Sequence, residues 1–334
     1  LILSLICGLA IAAGAEYAPE SHKSAFKIQS QTTRQMEINF NLPEFEVYEQ
    51  TQGADVYHRI MLPTAGTTMQ SGLPELPVIT TTIAIPHRGG VEIEVLNSEQ
   101  TVLTQFHAYP LQQGQELESP KAFQKNIDFY SSGGNYPSAA IEYSNPMILR
   151  DFRIVTIQIN PFSYNPTTQE LTIHNNILLR ANFTDEPSVN ELAAPTSYVS
   201  ASFDKIYSSM IQNYDDYRDM IIANTPPRYL IIHGNTTDNT FLTALDNYVL
   251  WKRQKGAEVN VANTSSSQAG SSTSSIQTYI RNQYNNPSTR PDFVILIGDT
   301  SGSFSIPADT NNNGGTDYDY THMNPGDYLG DIFI

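Results

Sequence analysis

Hydrophobic and polar positions alternate through much of residues 16–184. The alternation is clearest in VEIEVL at 91–96, FRIVTIQI at 152–159 and ELTIHNNILLRANF at 170–183, with stretches rich in Gly, Pro and Asn between such runs. A period of two with turns at this spacing predicts an antiparallel β-sandwich. Residues 161–168, PFSYNPTT, are predicted to form the turn that joins the last two runs as a hairpin.

Residues 185–226 are predicted to be a linker followed by a helical segment. The linker is polar and contains proline, and a helical spacing of three and four then begins at Phe203. The apolar positions of this predicted helix, which spans 203–222, are Phe203, Ile206, Met210, Tyr214 and Tyr217. The sequence Thr225-Pro226-Pro227 predicts the next boundary between domains.

After Pro227 short apolar runs alternate with helical patterns. Strands are predicted at 229–232, around 259–261 and at 293–297, and helices at 238–255 and from Ile276 onward. This order predicts a parallel sheet, and the wholly apolar run at 293–297 predicts a strand buried on both faces. The Ser-rich residues 265–275 are predicted to be a mobile loop, and 330–334 to begin a further strand.

Domain size suggests that the last domain is incomplete. An α/β domain usually needs well over ~100 residues, and this pattern begins only near Pro227 of a 334-residue chain. We therefore expect residues 227–334 to be the first part of a truncated α/β domain.

The first residues resemble an export signal that lacks its start. Residues 1–12 are apolar or small except Ser4, and Ala13-Gly14-Ala15 offers small residues for a signal peptidase, so residues 1–15 are predicted to be removed after Ala15. The apolar stretch is too short to span a membrane, and we expect a secreted or surface protein. A lipoprotein anchored at Cys7 is the alternative, but the small residue expected just before a lipidated cysteine is missing, because Ile6 stands there.

Charge and cysteine content narrow the function further. The chain has 18 Lys and Arg against 34 Asp and Glu, a net charge of -16, which argues against nucleic acid or an anionic membrane as a partner. Cys7 is the only cysteine and would leave with the signal. The mature chain would then have neither a disulfide nor a thiol nucleophile.

Three groups of residues are candidates for chemistry. His233-Gly234 follows a predicted strand, where a His can act as a general base, but without a cysteine partner we interpret it as a polar residue at a strand exit. Residues 309–314, DTNNNG, resemble the start of an EF-hand loop, although Tyr320 stands at position twelve. Asp299, Asp317 and Asp327 could hold a structural calcium ion, or they are simply solvated; no cofactor is required.

The sequence resembles the gingipain-like cysteine peptidases. The resemblance rests on GLPELPVITTTIAIP at 72–86, INPFSYNPTTQELTI at 159–173, WKRQKGAEV at 251–259, IQTYIRNQY at 276–284, PDFVILIGD at 291–299, Ile306-Pro307, Thr316-Asp317 with Tyr320, and GDYLGDIFI at 326–334. It implies a secreted bacterial endopeptidase zymogen, in which a β-sandwich propeptide precedes and masks a caspase-like α/β domain with a parallel sheet. It also implies that the propeptide is an intramolecular inhibitor and that the substrates are proteins or peptides.

The same resemblance places the catalytic residues outside this chain. In that family the nucleophilic Cys and the basic His-Gly lie further along than Ile334, so no catalytic residue is assigned here, and His233 is not the family's base. Arg218 and Arg228 are candidate processing points between propeptide and enzyme. The alternative is a non-enzymatic secreted protein whose β-sandwich binds a glycan or a protein partner.

Overall fold

The computed structural model describes residues 21–112, 122–196, 199–218, 225–308 and 315–334. The strands are β1 (Phe26–Gln31), β2 (Gln35–Asn41), β3 (Glu46–Gln52), β4 (Asp55–Met61), β5 (Gly66–Thr67), β6 (Pro77–Ala84), β7 (Val91–Leu103), β8 (Ile141–Tyr143), β9 (Met147–Leu149), β10 (Phe152–Ile159), β11 (Phe162–Asn165), β12 (Glu170–Phe183), β13 (Arg228–His233), β14 (Glu258–Asn263) and β15 (Phe293–Ile297). The helices are α1 (Ser21–Ser24), α2 (Ile127–Ser132), α3 (Ala201–Met210), α4 (Asp215–Arg218), α5 (Asn239–Gln254), α6 (Thr273–Asn285) and α7 (Tyr318–Thr321). Cys7, Ala15 and residues 309–314 lie outside the described residues.

Antiparallel sheets build the β-rich region. One five-stranded sheet has the order β1-β2-β12-β11 with β7 also on β12, and the other has the order β5-β6-β10-β8 with β9 also on β10. A hairpin of β3 and β4 is separate from both sheets. The predicted strands at 152–159 and 170–183 are present with those bounds, while the run predicted at 91–96 continues to Leu103.

Both five-stranded sheets contribute to one hydrophobic core. Ile38 of β2 and Leu179 of β12 come from the first sheet, and Ile83 of β6 and Ile157 of β10 come from the second; all four are fully buried. Burying each such side chain contributes about 1.5–3 kcal/mol. The burial follows the period of two seen in the sequence, because successive side chains of a strand point to opposite faces.

The prediction that residues 161–168 join the strands at 152–159 and 170–183 as a hairpin is wrong, because these two strands do not pair with each other. Strand β10 lies in the second sheet and β12 in the first, so the chain changes sheets after Asn160. The residues predicted as the turn contain β11, which itself pairs with β12, and the side chain of Asn165 accepts hydrogen bonds from the backbone of Thr167 and Thr168 in the connection between them. Phe162 and Tyr164 alternate with polar residues and are buried, which explains why the segment is a strand.

The single helix predicted over 203–222 is interrupted. Helix α3 ends at Met210, Ile211 is extended and pairs with Thr82, and α4 begins only at Asp215. The Asn213 side chain accepts a hydrogen bond from the backbone N–H of Ala84 (2.8 Å) and donates one to its carbonyl (2.9 Å). These bonds hold the chain against β6 in a non-helical conformation.

The region after Pro227 contains the predicted parallel sheet, in the order β14-β13-β15. Leu230 and Ile232 of β13 pack in the cluster that includes α6, whereas Ile231 packs with α5. The two helices therefore cover opposite faces of the sheet, as expected for β-α-β units. No helix within the described ranges is long and apolar enough to cross a membrane.

Three details of this region differ from the predictions. The central strand is β13, and β15 lies at the edge: its side chains pack on both faces of the sheet, but only Val294 is fully buried and the others are partly buried. The predicted loop over 265–275 ends earlier than expected. Helix α6 begins at Thr273, and Ser272 and Ser275 form a capping box at its start. Residues 330–334 pair with β15 only through an isolated bridge between Phe293 and Phe333.

Candidate functional site

The three aspartates predicted to bind calcium do not form a metal cluster. Asp299 is exposed, with Oδ1 accepting from the backbone of Thr300, and Asp317 precedes α7 without a capping hydrogen bond. Asp327 is engaged elsewhere, because its Oδ2 accepts from the backbone N–H of Ile148 at 2.7 Å. Among the described residues no group of three or more His, Cys, Asp or Glu could hold a metal ion. The calcium site remains a prediction.

The other sequence candidates are also separate from one another. His233 is the last residue of β13, is buried, and contacts its neighbour's carbonyl through Nδ1 (2.8 Å), as expected for a strand exit. Arg218 ends α4 with a side chain that is 54 % exposed. Arg228 begins β13, where it bonds Glu258 (Nε–Oε2, 2.7 Å) and Pro287 O (2.6 Å).

The most organised polar site was not predicted from the sequence. It consists of Arg150, Asp151, Arg290, Asp292 and Asp331, and we call it the charged junction. Arg150 and Asp151 form the turn between β9 and β10, and the other three residues flank β15 and its neighbouring C-terminal segment. Arg150 has a φ of 50°, a left-handed conformation that costs a non-glycine residue about 1–2 kcal/mol. Such strain persists only where the surroundings fix it.

The guanidinium of Arg150 lies in a cradle of oxygen atoms. Nη2 donates to Asp292 Oδ1 at 2.9 Å, and Nη1 donates to the carbonyls of Pro291 (2.8 Å) and Asp331 (3.2 Å). The backbone N–H of Arg150 donates to Asp331 Oδ1 at 3.1 Å. Both carboxylates are buried, and bonds to ionised groups of this kind are stronger than neutral hydrogen bonds.

A second ion pair runs the other way across the same contact. Arg290 Nη1 donates to Asp151 Oδ1 at 2.8 Å, and the second oxygen of Asp151 accepts from the Tyr207 hydroxyl at 2.8 Å. Arg290 also donates to the carbonyl of Arg150 (3.2 Å) and to the hydroxyl of Tyr284 (2.5 Å). Each side of the contact therefore supplies both an arginine and a carboxylate.

Burial shifts the pKa values of groups in and around the junction. Desolvation raises the pKa of Tyr207 well above its usual value, and the neighbouring Asp151 raises it further. Desolvation also raises the pKa of Asp331, although hydrogen bonds from Met323, Arg150 and Asn324 oppose that shift. For Arg290, burial lowers the pKa, but Asp151 and Tyr284 outweigh it and the net shift is upward.

Aromatic contacts extend the junction on one side. The ring of Phe203 in α3 stacks on Phe333 with centroids 5.3 Å apart, and the Arg150 guanidinium lies 4.3 Å from the centroid of the same Phe203 ring. Ser200, the N-cap of α3, donates to Asp292 Oδ1 at 2.9 Å. The junction is thus a buried docking contact between the β-rich region and the parallel sheet, and none of its residues is a cysteine.

Comparison with known proteins assigns the two sides of this contact. The propeptide C25 family model matches residues 21–221, and the peptidase family C25 model matches residues 222–334. Arg150 and Asp151 therefore belong to the propeptide match, and Arg290, Asp292 and Asp331 belong to the peptidase match. The chain belongs to the gingipain-like cysteine peptidase family, as a propeptide followed by the start of the peptidase domain.

Individual relatives agree with this assignment. The chain is 25 % identical to Lys-gingipain of Porphyromonas gingivalis over 304 residues, covering 84 % of this chain and 17 % of the relative. It is 22 % identical to Gingipain R1 of the same organism over 342 residues, covering 100 % of this chain and 33 % of that relative. The chain thus spans only a minor part of these curated relatives.

A solved structure supports the fold of the chain. The structure described as the complex of Porphyromonas gingivalis RgpB pro- and mature domains matches with a TM-score of 0.51 and 20 % identity. The match covers 57 % of this chain and 97 % of the matched chain.

Proposed function

We propose that this chain is the latent part of a secreted cysteine endopeptidase, in which residues 21–221 hold residues 222–334 in a zymogen. The charged junction is the observation that supports this function, because its ion pairs and aromatic contacts are formed between the two family matches. Export rests on the signal predicted at 1–15. The substrates would be proteins or peptides.

The junction is suited to holding two regions together until the connection is cut. Removing one partner from a buried ion pair leaves an uncompensated charge and typically costs 3–5 kcal/mol. Asp292 joins three elements, since it accepts from Arg150, from Ser200 and from the backbone N–H of Arg228 (3.0 Å). Separation of the propeptide would leave this carboxylate with fewer donors.

The proposed reaction is attack of a cysteine thiolate on a peptide carbonyl. A histidine would carry the proton, and backbone amides would stabilise the oxyanion. Residues 222–334 contain no cysteine, so the nucleophile must come from outside them. His233 is buried at the end of β13 and takes no part in the proposal.

We also propose the finer fold classes for the two regions. A β-sandwich is supported by the core that side chains of both five-stranded sheets share. A caspase-like domain is supported by the parallel order β14-β13-β15 with α5 and α6 on opposite faces.

The proposal is tested on the full-length precursor that carries the whole peptidase domain. Hydrolysis of a fluorogenic peptide and alkylation by iodoacetamide are followed for the wild type and for Arg150→Met, with Arg34→Met as the matched control. We expect a long lag before activity in the wild type and the control, a shorter lag in Arg150→Met, and loss of activity on alkylation. A precursor that is fully active while still uncleaved, or whose activity resists alkylation, would contradict the proposed function.

A further inference from the structure

Arg153 of β10 is a buried arginine without a carboxylate partner. Its side chain is almost fully buried, with Nη1 donating to the carbonyls of Pro86 (3.2 Å) and Gly89 (2.6 Å) and Nη2 donating to Val189 (2.7 Å). Its Nε has no acceptor. Within the part of the chain that the structure describes, no carboxylate forms an ion pair with it.

This arrangement differs from that of the junction arginines. Arg150 and Arg290 are also buried, but each contacts an aspartate at 2.9 Å or less. The acid that acts electrostatically on Arg153 is Glu191, whose carboxylate is solvent-exposed and accepts from the backbone of Gly89 and Ser188. Desolvation lowers the pKa of Arg153 and Glu191 only opposes that shift. Burying a cation without a direct ion pair is energetically costly.

Arg153 also lines a cavity of about 300 Å³. The cavity lies where the β-rich region meets the 192–196 segment and α4, and its walls are mostly apolar: Ile85, Pro86, Phe152, Leu192, Pro195 and Tyr217. His87 and Thr196 add polar groups at its margin. Apolar walls with few polar groups, one of them a buried charge, are typical of sites for small ligands.

We propose that this cavity binds an apolar carboxylate, whose charged group pairs with the Arg153 guanidinium and whose apolar body packs between Phe152 and Leu192. The hydrogen bonds of Nη1 and Nη2 hold Val189 and the 86–89 turn against β10, and the buried Nε remains as a donor without a partner among the described residues. The ligand could be a free carboxylic acid or the C-terminal carboxylate of a peptide with an apolar last residue. Both present the same chemistry to the site.

The proposal is tested by calorimetric titration of the full chain with 3-phenylpropionate and with its carboxamide. We expect the acid to bind with a Kd on the order of 0.1 mM, reasonable for a ligand of this size, and the amide to bind at least about tenfold more weakly. Octanoate and N-acetyl-alanyl-phenylalanine then distinguish the two sources. Tighter binding of octanoate would indicate a fatty acid, and tighter binding of the dipeptide would indicate a peptide C-terminus.

Two variants locate the site. Arg153→Met removes the charge, and Leu192→Trp fills the cavity without touching the hydrogen bonds of Arg153; each should weaken binding of the acid at least about tenfold, with folding checked by circular dichroism. If Arg153→Met does not fold, the proposal is tested by Leu192→Trp and by the difference in affinity between 3-phenylpropionate and its carboxamide. Equal binding of acid and amide, no binding of either, or unchanged binding by a folded Leu192→Trp protein would overturn the proposal.

Discussion

Arg290 Nη1 lies 2.8 Å from Asp151 Oδ1, although the two residues are 139 positions apart in the chain. The ion pair links Asp151, in the propeptide turn between β9 and β10, to Arg290, which lies two positions before Asp292 in the peptidase segment. Its neighbour Arg150 pairs with Asp292 at 2.9 Å, so two adjacent residues of the propeptide contact two nearly adjacent residues of the peptidase segment with opposite charge order. This reciprocal arrangement fixes one register for the docking of the two regions.

We expect Arg150→Met to destabilise the docked state by about 3–5 kcal/mol, because the Asp292 carboxylate would remain buried without its cationic partner. Unfolding in urea can be followed by the fluorescence of Trp251, which is the only tryptophan and lies in α5 of the peptidase segment. The midpoint for Arg150→Met should fall well below that of the wild type.

Arg34→Met is the control for that experiment. Arg34 pairs with Asp185 at 3.2 Å, but their side chains are 76 % and 88 % exposed, and such pairs contribute little. Equal losses in the two variants would show that the junction stabilises no more than a surface ion pair does.

A double-mutant cycle measures the coupling between Asp151 and Arg290. Asp151→Asn and Arg290→Met should each be destabilising, and the double variant should be less destabilised than their sum by about 1–3 kcal/mol, because the residues are in direct contact. The same cycle on Arg34 and Asp185 should give a coupling near zero. Strict additivity at Asp151 and Arg290 would mean that their contact contributes nothing.

The secondary structure could largely be predicted from the sequence because it depends on local periodicity. Helix α5, predicted over 238–255, spans Asn239–Gln254, and β10 and β12 have the predicted bounds. Pairing partners were harder to predict. The chain passes from one sheet to the other after Asn160, and no local pattern in the sequence indicates this. The predicted hairpin therefore joined the wrong strands.

The charged junction could not be predicted, for a related physical reason. Arg150-Asp151 and Arg290-Pro291-Asp292 each appear in the sequence as ordinary charges beside an apolar strand. Only the docking of α3 and the β9–β10 turn on β15 brings them together and buries them. The one signal in the sequence was that β10 and β15 are each preceded, within three residues, by an arginine and an aspartate.

Limited proteolysis should distinguish the two proposed processing points. A trypsin-like protease should cut after Arg218 much faster than after Arg228. Arg218 is exposed at the end of α4. The backbone of Arg228, in contrast, is hydrogen-bonded to Asp292 through both its N–H (3.0 Å) and its carbonyl (2.9 Å). Mass spectrometry of the fragments identifies the cut. Arg218→Gln should remove the early cleavage and Arg228→Gln should not; the reverse result would assign processing to Arg228.

Stability should decrease below pH 7 because of His174. Burial lowers the pKa of this histidine in the folded protein, where its Nδ1 lies 2.7 Å from Ser98 Oγ. An unfolded chain takes up a proton near the ordinary value of about 6.5, and the folded protein does so only at lower pH. The unfolded state therefore binds more protons in this window, and the stability present above pH 6.5 is lost as the pH falls.

Urea unfolding of the wild type and of His174→Asn at pH 7.5 and 5.5 tests this expectation. The wild type should lose stability between the two pH values, and the variant should lose less, since it cannot take up that proton. Asp331, whose raised pKa acts with the opposite sign, is present in both proteins and cancels in the comparison. His107→Asn, a change at an exposed position, should keep the pH dependence of the wild type. If His174→Asn keeps it as well, protonation of His174 is not its cause.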